Sequence, residues 1–167
     1  MSQIRVAGIV KESVVDGPGL RFVVFAQGCK HNCPDCHNPE THPFDGGKLM
    51  KINEIIEMID NPLLSGVTFS GGEPFEQAAA FAELAAEVKK LGLNVLTYTG
   101  YTFEQIISLS KENKAWMDLL RLTDILIDGP FIISKKDLSL KFRGSSNQRI
   151  IDVQKSLIEG RVVVTDL

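Results

Sequence analysis

Three cysteines within eight residues are the side chains best suited to chemistry in this sequence. Cys29, Cys33 and Cys36 follow a Cys-x3-Cys-x2-Cys spacing, and the 167-residue chain contains no further cysteine. A disulfide framework uses an even number of cysteines spread along the chain, whereas clustered thiols in a reducing compartment are typical of metal binding. The segment therefore predicts a metal site.

The missing fourth thiol bears on the kind of metal. A four-iron cluster normally has four thiolate ligands, so three cysteines leave one iron without a protein thiolate. An open metal position is typical of catalytic rather than structural sites. The alternative is structural zinc on the three cysteines plus His31 or His37, but the second, distant ligand pair that such sites normally use is not found in the sequence. The spacing favours the cluster and leaves zinc as the alternative.

A second motif, Gly71-Gly-Glu-Pro74, follows a predicted strand over residues 66–70. Glycines allow a ligand to approach the backbone closely, and a carboxylate can accept hydrogen bonds from an ammonium group. A plain strand-to-helix turn would also explain the motif. Gly72 and Glu73 are therefore candidates for binding a ligand that carries an amino group.

The elements that must position these motifs alternate between strands and helices. Apolar, β-branched runs predict a strand pair at 4–10 and 20–26, and later strands at 93–98, 124–128 and 161–165. Helices are predicted at 53–59 with Asn53 as cap, at 74–91, from Phe103 with Thr102 and Gln105 as a capping box, and at 114–122.

This alternation implies parallel βα units with right-handed crossovers. A closed eight-unit barrel usually needs about 200 residues or more. We therefore expect an α/β fold, an incomplete (βα) barrel or curved open sheet of five to six mostly parallel strands, in one domain over residues 1–167. The cysteines, Gly71–Pro74, Tyr98–Tyr101 and Asp128–Phe131 all follow strands and should share one mouth. Asp128 is there a candidate contact for a ligand or a cation.

The cysteine spacing after one strand, with Gly-Gly-Glu-Pro after the next, resembles the radical S-adenosylmethionine enzymes. The resemblance implies a [4Fe–4S] cluster on Cys29, Cys33 and Cys36, with the amino and carboxylate groups of S-adenosylmethionine on the fourth iron. Reductive cleavage would then give methionine and a 5′-deoxyadenosyl radical, and no catalytic side-chain base is required. The cofactor carries the hard chemistry, while the protein binds it, orients it and excludes water.

The same resemblance assigns cofactor contacts. Gly72 and Glu73 would hold the methionine end, and Asp35, Cys36 and His37 would lie beside the adenine. Many members of the superfamily have an aromatic residue before the third cysteine, where this chain has Asp35. Adenine packing there must depend on backbone contacts or on His37.

Further motifs indicate a subgroup. Asp16–Arg21 resembles the start of glycyl-radical enzyme activases. With residues 98–101, 128–131 and 143–149, the chain from about 4 to 164 resembles the subgroup that activates anaerobic ribonucleoside-triphosphate reductases. The implied partners are the large subunit of that reductase and a low-potential electron donor such as flavodoxin or ferredoxin. Residues 16–21 and 143–149 are the candidate contact surface for the reductase.

Three alternatives remain open at this point. The first is an activase of another glycyl-radical enzyme, such as pyruvate formate-lyase. The second is a radical enzyme acting on a free metabolite. The third is a non-catalytic iron–sulfur or zinc interaction module, which would have no need for the methionine site that Gly-Gly-Glu-Pro suggests.

Composition narrows the remaining classes of function. Hydrophobic residues make up 44% of the chain and charged residues 23%, which is typical of a globular protein. The net charge of −3 argues against a nucleic-acid binder held by a general basic field. We find neither an apolar run long enough to span a membrane nor a signal-peptide apolar region, so we expect a cytoplasmic protein without membrane partners.

Overall fold

The computed structural model describes residues 2–29, 31 and 43–167, and these residues form a seven-stranded sheet with helices. The order of strands across the sheet is β3-β1-β2-β4-β5-β6-β7. The strands are β1 (Gln3–Ser13), β2 (Arg21–Ala26), β3 (Lys48–Lys51), β4 (Gly66–Gly71), β5 (Asn94–Tyr98), β6 (Ile125–Asp128) and β7 (Arg149–Asp152).

The centre of the sheet is parallel. Strands β2, β4, β5 and β6 pair in parallel, whereas β1 is antiparallel to both of its neighbours and β7 is antiparallel to β6. Five of the seven strands, including β3, therefore run in one direction. In the described part of the chain the sheet has two ends, β3 and β7, so it is open. The predicted α/β fold with a mostly parallel, incomplete barrel is confirmed, but the predicted number of five to six strands is too small.

The additional strands are short and lie where loop signals dominate. β3 follows Gly46 and Gly47 and has only four residues, mostly exposed. β7 begins at Arg149, the last residue of a segment that reads as a polar loop. Both strands are held by pairing with a neighbour, so they depend on tertiary contacts that local sequence patterns do not contain.

The predicted strand at 161–165 is wrong. The helix before it ends at Gly160, whose φ of +71° is left-handed, and the chain then returns along β7. There Val164 forms only an isolated bridge with Ile151, supported by backbone bonds from Asp152 to Val163 and from Thr165 to Ile150. The contact is too short to continue as a strand.

Helices cover one face of the sheet. They are α1 (Ile52–Met58), α2 (Ala78–Lys90), α3 (Phe103–Ser110), α4 (Lys114–Leu122) and α5 (Val153–Glu159), with 3-10 turns at Pro74–Gln77 and Ile133–Lys135. Among the described residues, none of these helices has the length and apolar character needed to cross a membrane.

The helix predictions were confirmed in part. The capping box of Thr102 and Gln105 is present, and α4 has the predicted bounds. Asn53 is not the cap of α1, because the helix already begins at Ile52. The helix expected from Pro74 begins as a 3-10 turn, and regular α-helix starts only at Ala78.

Side chains of the parallel strands point alternately to the two faces of the sheet, and one face borders the hydrophobic core while the other borders a cavity. On β4, Val67 and Phe69 point into the main hydrophobic core beneath α2, whereas Thr68 and Ser70 lie on the other face. A smaller apolar cluster around Leu96 covers the lower part of that second face. The upper part of the face, at the carboxyl ends of the strands, borders a cavity.

Candidate functional site

The carboxyl ends of the four parallel strands meet at one edge of the sheet, as the sequence predicts. There they surround a cavity of about 500 Å³. Ligands of parallel α/β sheets bind at this edge. The lining residues are Val15, Asp16, Phe25, Cys29, His31, Ser70, Gly71, Gly72, Tyr98, Thr99, Gly100, Gly129, Phe131, Phe142, Arg143, Gly144 and Gln148.

The Gly-Gly-Glu-Pro loop is bound directly to the chain that leads into the cysteine segment. The Gly72 N–H donates to the Ala26 carbonyl at 2.7 Å, and the Glu73 N–H donates to the Gly28 carbonyl at 2.8 Å. Gly71 has a φ of +89°, and a Cβ there would lie 2.6 Å from the Ala26 nitrogen. Only glycine allows this approach, which places the loop beside Cys29.

Glu73 is fully buried, and its carboxylate accepts from several donors at once. Oε1 accepts from the Gly100 N–H at 2.8 Å and from His31 Nε2 at 2.6 Å. Oε2 accepts from the Phe75 N–H at 3.1 Å, and the Thr99 hydroxyl lies within 3.0 Å of both oxygens. These bonds compensate for the burial of a carboxylate and fix its position under the cavity.

His31 lies against the residues that follow β5. Its ring meets Tyr101 edge to face, with the centroids 4.4 Å apart, and a Cβ on Gly100 would come within 2.4–2.7 Å of it. Tyr101 donates to Glu76 at 2.5 Å, and burial together with this bond raises the pKa of the Tyr101 hydroxyl. The ring of His31 therefore rests on a glycine and beside a fixed aromatic side chain.

Gln77 ties the same loop to the neighbouring strand. Its amide accepts from the Arg5 N–H at 2.8 Å and donates to the carbonyls of Arg5 and Gln27. The side chain thus takes the place of a strand partner near the start of β1, next to Val6, where the pairing with β2 begins. Gln77 could not be identified from the sequence, because a glutamine at the start of a helix carries no distinctive signal.

Asp128 is bound within the protein rather than to a ligand. Its carboxylate accepts from the Phe103 N–H at 2.8 Å and from Arg149 at 2.5 and 3.1 Å. Arg149 also contacts Glu104 at 2.6 Å. The bonds to Asp128 and then to Glu104 raise the pKa of Arg149, and Arg149 in turn lowers the pKa of Glu104. The suggestion that Asp128 contacts a ligand or cation is not supported by these bonds.

Arg21 is also structural. It is fully buried and donates to Thr68 Oγ1 at 2.7 Å, to Asn94 Oδ1 at 2.6 Å, and to the carbonyls of Pro18 and Val67. Burial lowers the pKa of Arg21 to about 10. The prediction that residues 16–21 form a contact surface is therefore wrong for Arg21, whereas Asp16 does line the cavity.

Some residues of segment 143–149 hold the fold together, and others line the cavity. Asn147 donates to the Pro130 carbonyl at 2.8 Å, and Gln148 donates to the Gly129 carbonyl at 3.1 Å. These bonds fasten the segment to the end of β6. Arg143 follows Phe142, whose φ of 61° is rare for an aromatic residue, and it lines the cavity. Its Nη1 donates to Gln148, while its buried Nε has no hydrogen-bond partner among the described residues.

The structure thus brings together part of the predicted site. Cys29 and Gly72 line the cavity, and the buried Glu73 is bonded to three of the lining residues, His31, Thr99 and Gly100. The predicted residues Cys33, Cys36, Asp35 and His37 lie outside the described residues. From the sequence, His31 is a candidate only for a zinc ligand. Thr99 and Gly100 carry no signal of their own within the strand-end motif Tyr98–Tyr101.

Comparison with known proteins identifies the family. A family model described as "4Fe-4S single cluster domain" matches residues 15–151. The chain is 32% identical over 145 residues to the anaerobic ribonucleoside-triphosphate reductase-activating protein of Salmonella typhi, an alignment that covers 81% of this chain and 90% of the relative. The corresponding protein of Escherichia coli K12 is 33% identical over 144 residues, with the same coverage of both chains.

This chain belongs to the anaerobic ribonucleoside-triphosphate reductase-activating proteins. It is also similar to the pyruvate formate-lyase-activating enzyme of Clostridium pasteurianum, with 36% identity over 113 residues. That alignment covers 62% of this chain but only 48% of the relative. The likeness to reductase-activating proteins therefore extends over far more of the relatives' length. The family match confirms the prediction of an iron–sulfur site over structural zinc.

Proposed function

We propose that this protein activates an anaerobic ribonucleoside-triphosphate reductase by removing a hydrogen atom from a backbone glycine of that enzyme. The observation that carries the proposal is the juxtaposition of Cys29 with the Glu73 loop at one cavity. The bond from Glu73 to Gly28 fixes a carboxylate next to the thiol-bearing segment. Membership of the reductase-activating family supports the choice of partner.

The residues at the cavity suit an iron–sulfur cluster and S-adenosylmethionine. Cys29, with Cys33 and Cys36, would hold the cluster, since thiolates are the usual ligands of such clusters. Gly71 and Gly72 add no side chains to the cavity wall, so the backbone is accessible to a ligand there.

The cofactor contacts retain the predicted division of roles. Gly72 and Glu73 would hold the amino-acid end of S-adenosylmethionine, while Asp35, Cys36 and His37, which lie outside the described residues, would contact the adenine. When bound and reduced, the cofactors supply a 5′-deoxyadenosyl radical and release methionine.

The protein's own residues bind and orient the cofactor, and they exclude water from the cavity. Glu73 presents a fixed negative charge that suits an ammonium group, and its internal donors keep it in place before a ligand arrives. Phe25, Phe131 and Phe142 give the cavity apolar walls, which limit the access of water to a reactive radical. The chemistry that the cofactors would supply is removal of a hydrogen atom from the glycine Cα, and no side chain of this protein is required as a base for it.

The reductase large subunit would reach the cavity through its open rim. Val15, Asp16, Arg143 and Gly144 all line the cavity, and Val15 is 73% exposed. These residues replace the wider segments 16–21 and 143–149 as the proposed contact surface, since Arg21, Asn147 and Arg149 are bound internally.

The proposal also includes the electron donor and the cellular compartment. The single electron needed for each cleavage comes from a low-potential donor such as flavodoxin or ferredoxin. The protein acts in the cytoplasm as one domain over residues 1–167, without nucleic-acid or membrane partners. The net charge of −3 and the clustered thiols, which require a reducing compartment, support this setting.

The decisive experiment combines the anaerobically reconstituted protein with S-adenosylmethionine, a reductant and purified anaerobic ribonucleotide reductase. We expect an electron paramagnetic resonance signal of a glycyl radical together with ribonucleotide reduction, and neither with a Cys36→Ala variant. A radical on pyruvate formate-lyase but not on the reductase would favour the other activase, which the Clostridium relative makes the second candidate. If neither protein gains a radical while a small metabolite consumes the deoxyadenosyl group, the activase function is wrong.

A further inference from the structure

The carboxylate of Glu73 already has as many donors as it can accept. Backbone N–H groups of Phe75 and Gly100, the Thr99 hydroxyl and His31 Nε2 all donate to it. An ionised carboxylate offers about four lone-pair positions and donates nothing, so Nε2 must carry the proton of the His31 contact. A ligand ammonium group can therefore bind Glu73 only if one of these donors leaves.

Three of the four donors are fixed by the fold. The Phe75 N–H belongs to the 3-10 turn that Glu73 itself caps. The Gly100 N–H follows β5, and Thr99 is anchored because its N–H donates to the Ile127 carbonyl and its hydroxyl accepts from the Tyr101 N–H. Loss of any of these bonds would require the end of β5 or the turn to rearrange.

His31 is the exception. It belongs to the segment between Cys29 and Cys33, reaches Glu73 with a side chain alone, and lines the cavity. Its side chain keeps 16% of its surface exposed, whereas that of Glu73 is wholly buried. A ligand that approaches Glu73 from the cavity meets the His31 ring first.

The residues around the His31 ring hold the ring in place. Gly100 leaves room for the ring, because a Cβ at that residue would lie within 2.4 Å of it. Tyr101 packs edge-on against it and is itself fixed by Glu76 and by Trp116, whose ring lies 4.9 Å away. The contact of His31 with Glu73 is thus supported by two neighbouring residues, Gly100 and Tyr101.

We propose that His31 is an exchangeable donor, a positioning residue that holds the Glu73 carboxylate in place until the α-ammonium group of S-adenosylmethionine replaces it. The proposal rests on the proposed function, since it requires that Glu73 binds the amino-acid end of this cofactor. Beyond that function, it states that His31, a residue of the cysteine segment, competes directly with the ligand for the Glu73 carboxylate. Cofactor binding would then release His31 from its place on Gly100 and Tyr101.

The test is equilibrium binding of two ligands to anaerobically reconstituted protein. S-adenosylmethionine carries the ammonium group, and 5′-methylthioadenosine lacks the amino-acid end. A charge-assisted hydrogen bond that no longer has to be broken corresponds to about tenfold in affinity. We expect His31→Ala to bind S-adenosylmethionine about tenfold more tightly than the unaltered protein, with no change in affinity for 5′-methylthioadenosine.

A second variant leaves the histidine intact. Gly100→Ala should displace the ring from Glu73 and tighten S-adenosylmethionine binding in the same ligand-selective way. Gly8→Ala is the matched control, because a Cβ at Gly8 has no atom within 4 Å among the described residues. Iron content measured for each variant separates a change in affinity from loss of the cluster.

The outcomes distinguish the two proposals. Equal or weaker binding of S-adenosylmethionine by both variants would overturn the exchange, while cleavage to methionine by the unaltered protein would leave the proposed function intact. Tightening that extends equally to 5′-methylthioadenosine would also overturn it, because the effect would then be on cavity shape. If the unaltered protein neither binds nor cleaves S-adenosylmethionine, the proposed function fails and the exchange fails with it.

Discussion

Asp128 and Arg149 are directly opposite residues on the antiparallel strands β6 and β7, and their side chains form an ion pair at the end of the sheet. Asp128 is 1% exposed, and Arg149 supplies its only cationic partner among the described residues. The pair fixes β7 against the parallel centre, and with it the segment that carries Arg143. It therefore supports one side of the cavity, although neither residue lines the cavity itself.

Removal of the cation from this pair should destabilise the fold. We expect Arg149→Met to lower the free energy of unfolding by about 3–5 kcal/mol, because it leaves the buried Asp128 charge unpaired. Urea denaturation measures the change. Arg161→Met is the matched control, since Arg161 forms an exposed pair with Glu159, and its loss should stay within about 1 kcal/mol. Equal losses in the two variants would contradict the structural role of Arg149.

The outer partner of Arg149 should give a small, pH-dependent effect. Arg149 lowers the pKa of Glu104 below its ordinary value of 4.5. Glu104 in the folded protein thus stays ionised to lower pH than in the unfolded chain, so its contribution is present above about pH 4.5 and is lost as the pH falls through the lowered pKa. The Glu104 side chain is 64% exposed, which limits the contribution to below about 1 kcal/mol. The free energies of unfolding of the protein and of Glu104→Gln should differ at pH 7, and the difference should shrink as the pH falls below about 4.5. A difference that grows in acid would reverse the predicted sign.

Cluster assembly should depend on each of the three cysteines. We expect about four irons per chain after anaerobic reconstitution, and loss of the iron and of the iron–sulfur absorbance in Cys29→Ala, Cys33→Ala and Cys36→Ala. Metal analysis and visible spectroscopy give the answer. Ser70→Ala, which also changes a cavity-lining residue, should retain its iron. Stoichiometric zinc without iron–sulfur absorbance after anaerobic purification would contradict the prediction.

Substitution of Glu73 should separate ligand binding from folding. Glu73→Ala would leave the buried N–H groups of Phe75 and Gly100 without acceptors and should cost about 2–4 kcal/mol of folding free energy. Glu73→Gln keeps the size and an acceptor oxygen but removes the charge, so it should bind S-adenosylmethionine about tenfold more weakly with its cluster intact. Equilibrium binding and thermal unfolding measure the two effects. Glu83→Gln, an exposed glutamate bound to Ser2, is the control, and unchanged affinity in Glu73→Gln would remove Glu73 from the site.

The sequence predicted the parallel centre of the fold because each of its strands is a short apolar run followed by glycine. It also predicted which strand ends share a mouth, since parallel strands finish at the same edge. β3 and β7 could not be predicted in this way, because their four-residue strands are defined by the neighbour with which they pair. Their neighbours β1 and β6 are distant in the sequence.

The site was predictable where residue type alone indicates chemistry. Cys29, Gly72 and Glu73 carry that kind of signal. His31, Thr99 and Gly100 acquire their importance only through the bonds they make to Glu73 from other parts of the chain. Arg21 illustrates the opposite error, since its charge suggests a surface contact, while four oxygens around it make burial acceptable.

The spacing between the cysteine segment and Glu73 is set by two backbone bonds, from Gly72 to Ala26 and from Glu73 to Gly28. Because main-chain atoms alone form them, these bonds do not depend on which side chains occupy the positions between their ends. Insertion or deletion of a residue between Ala26 and Gly28 would put the two bonds out of register with each other, because their donors, Gly72 and Glu73, are adjacent in the chain. Loop length, together with the glycine at position 71, is therefore the property that keeps the carboxylate at a constant distance from the first cysteine.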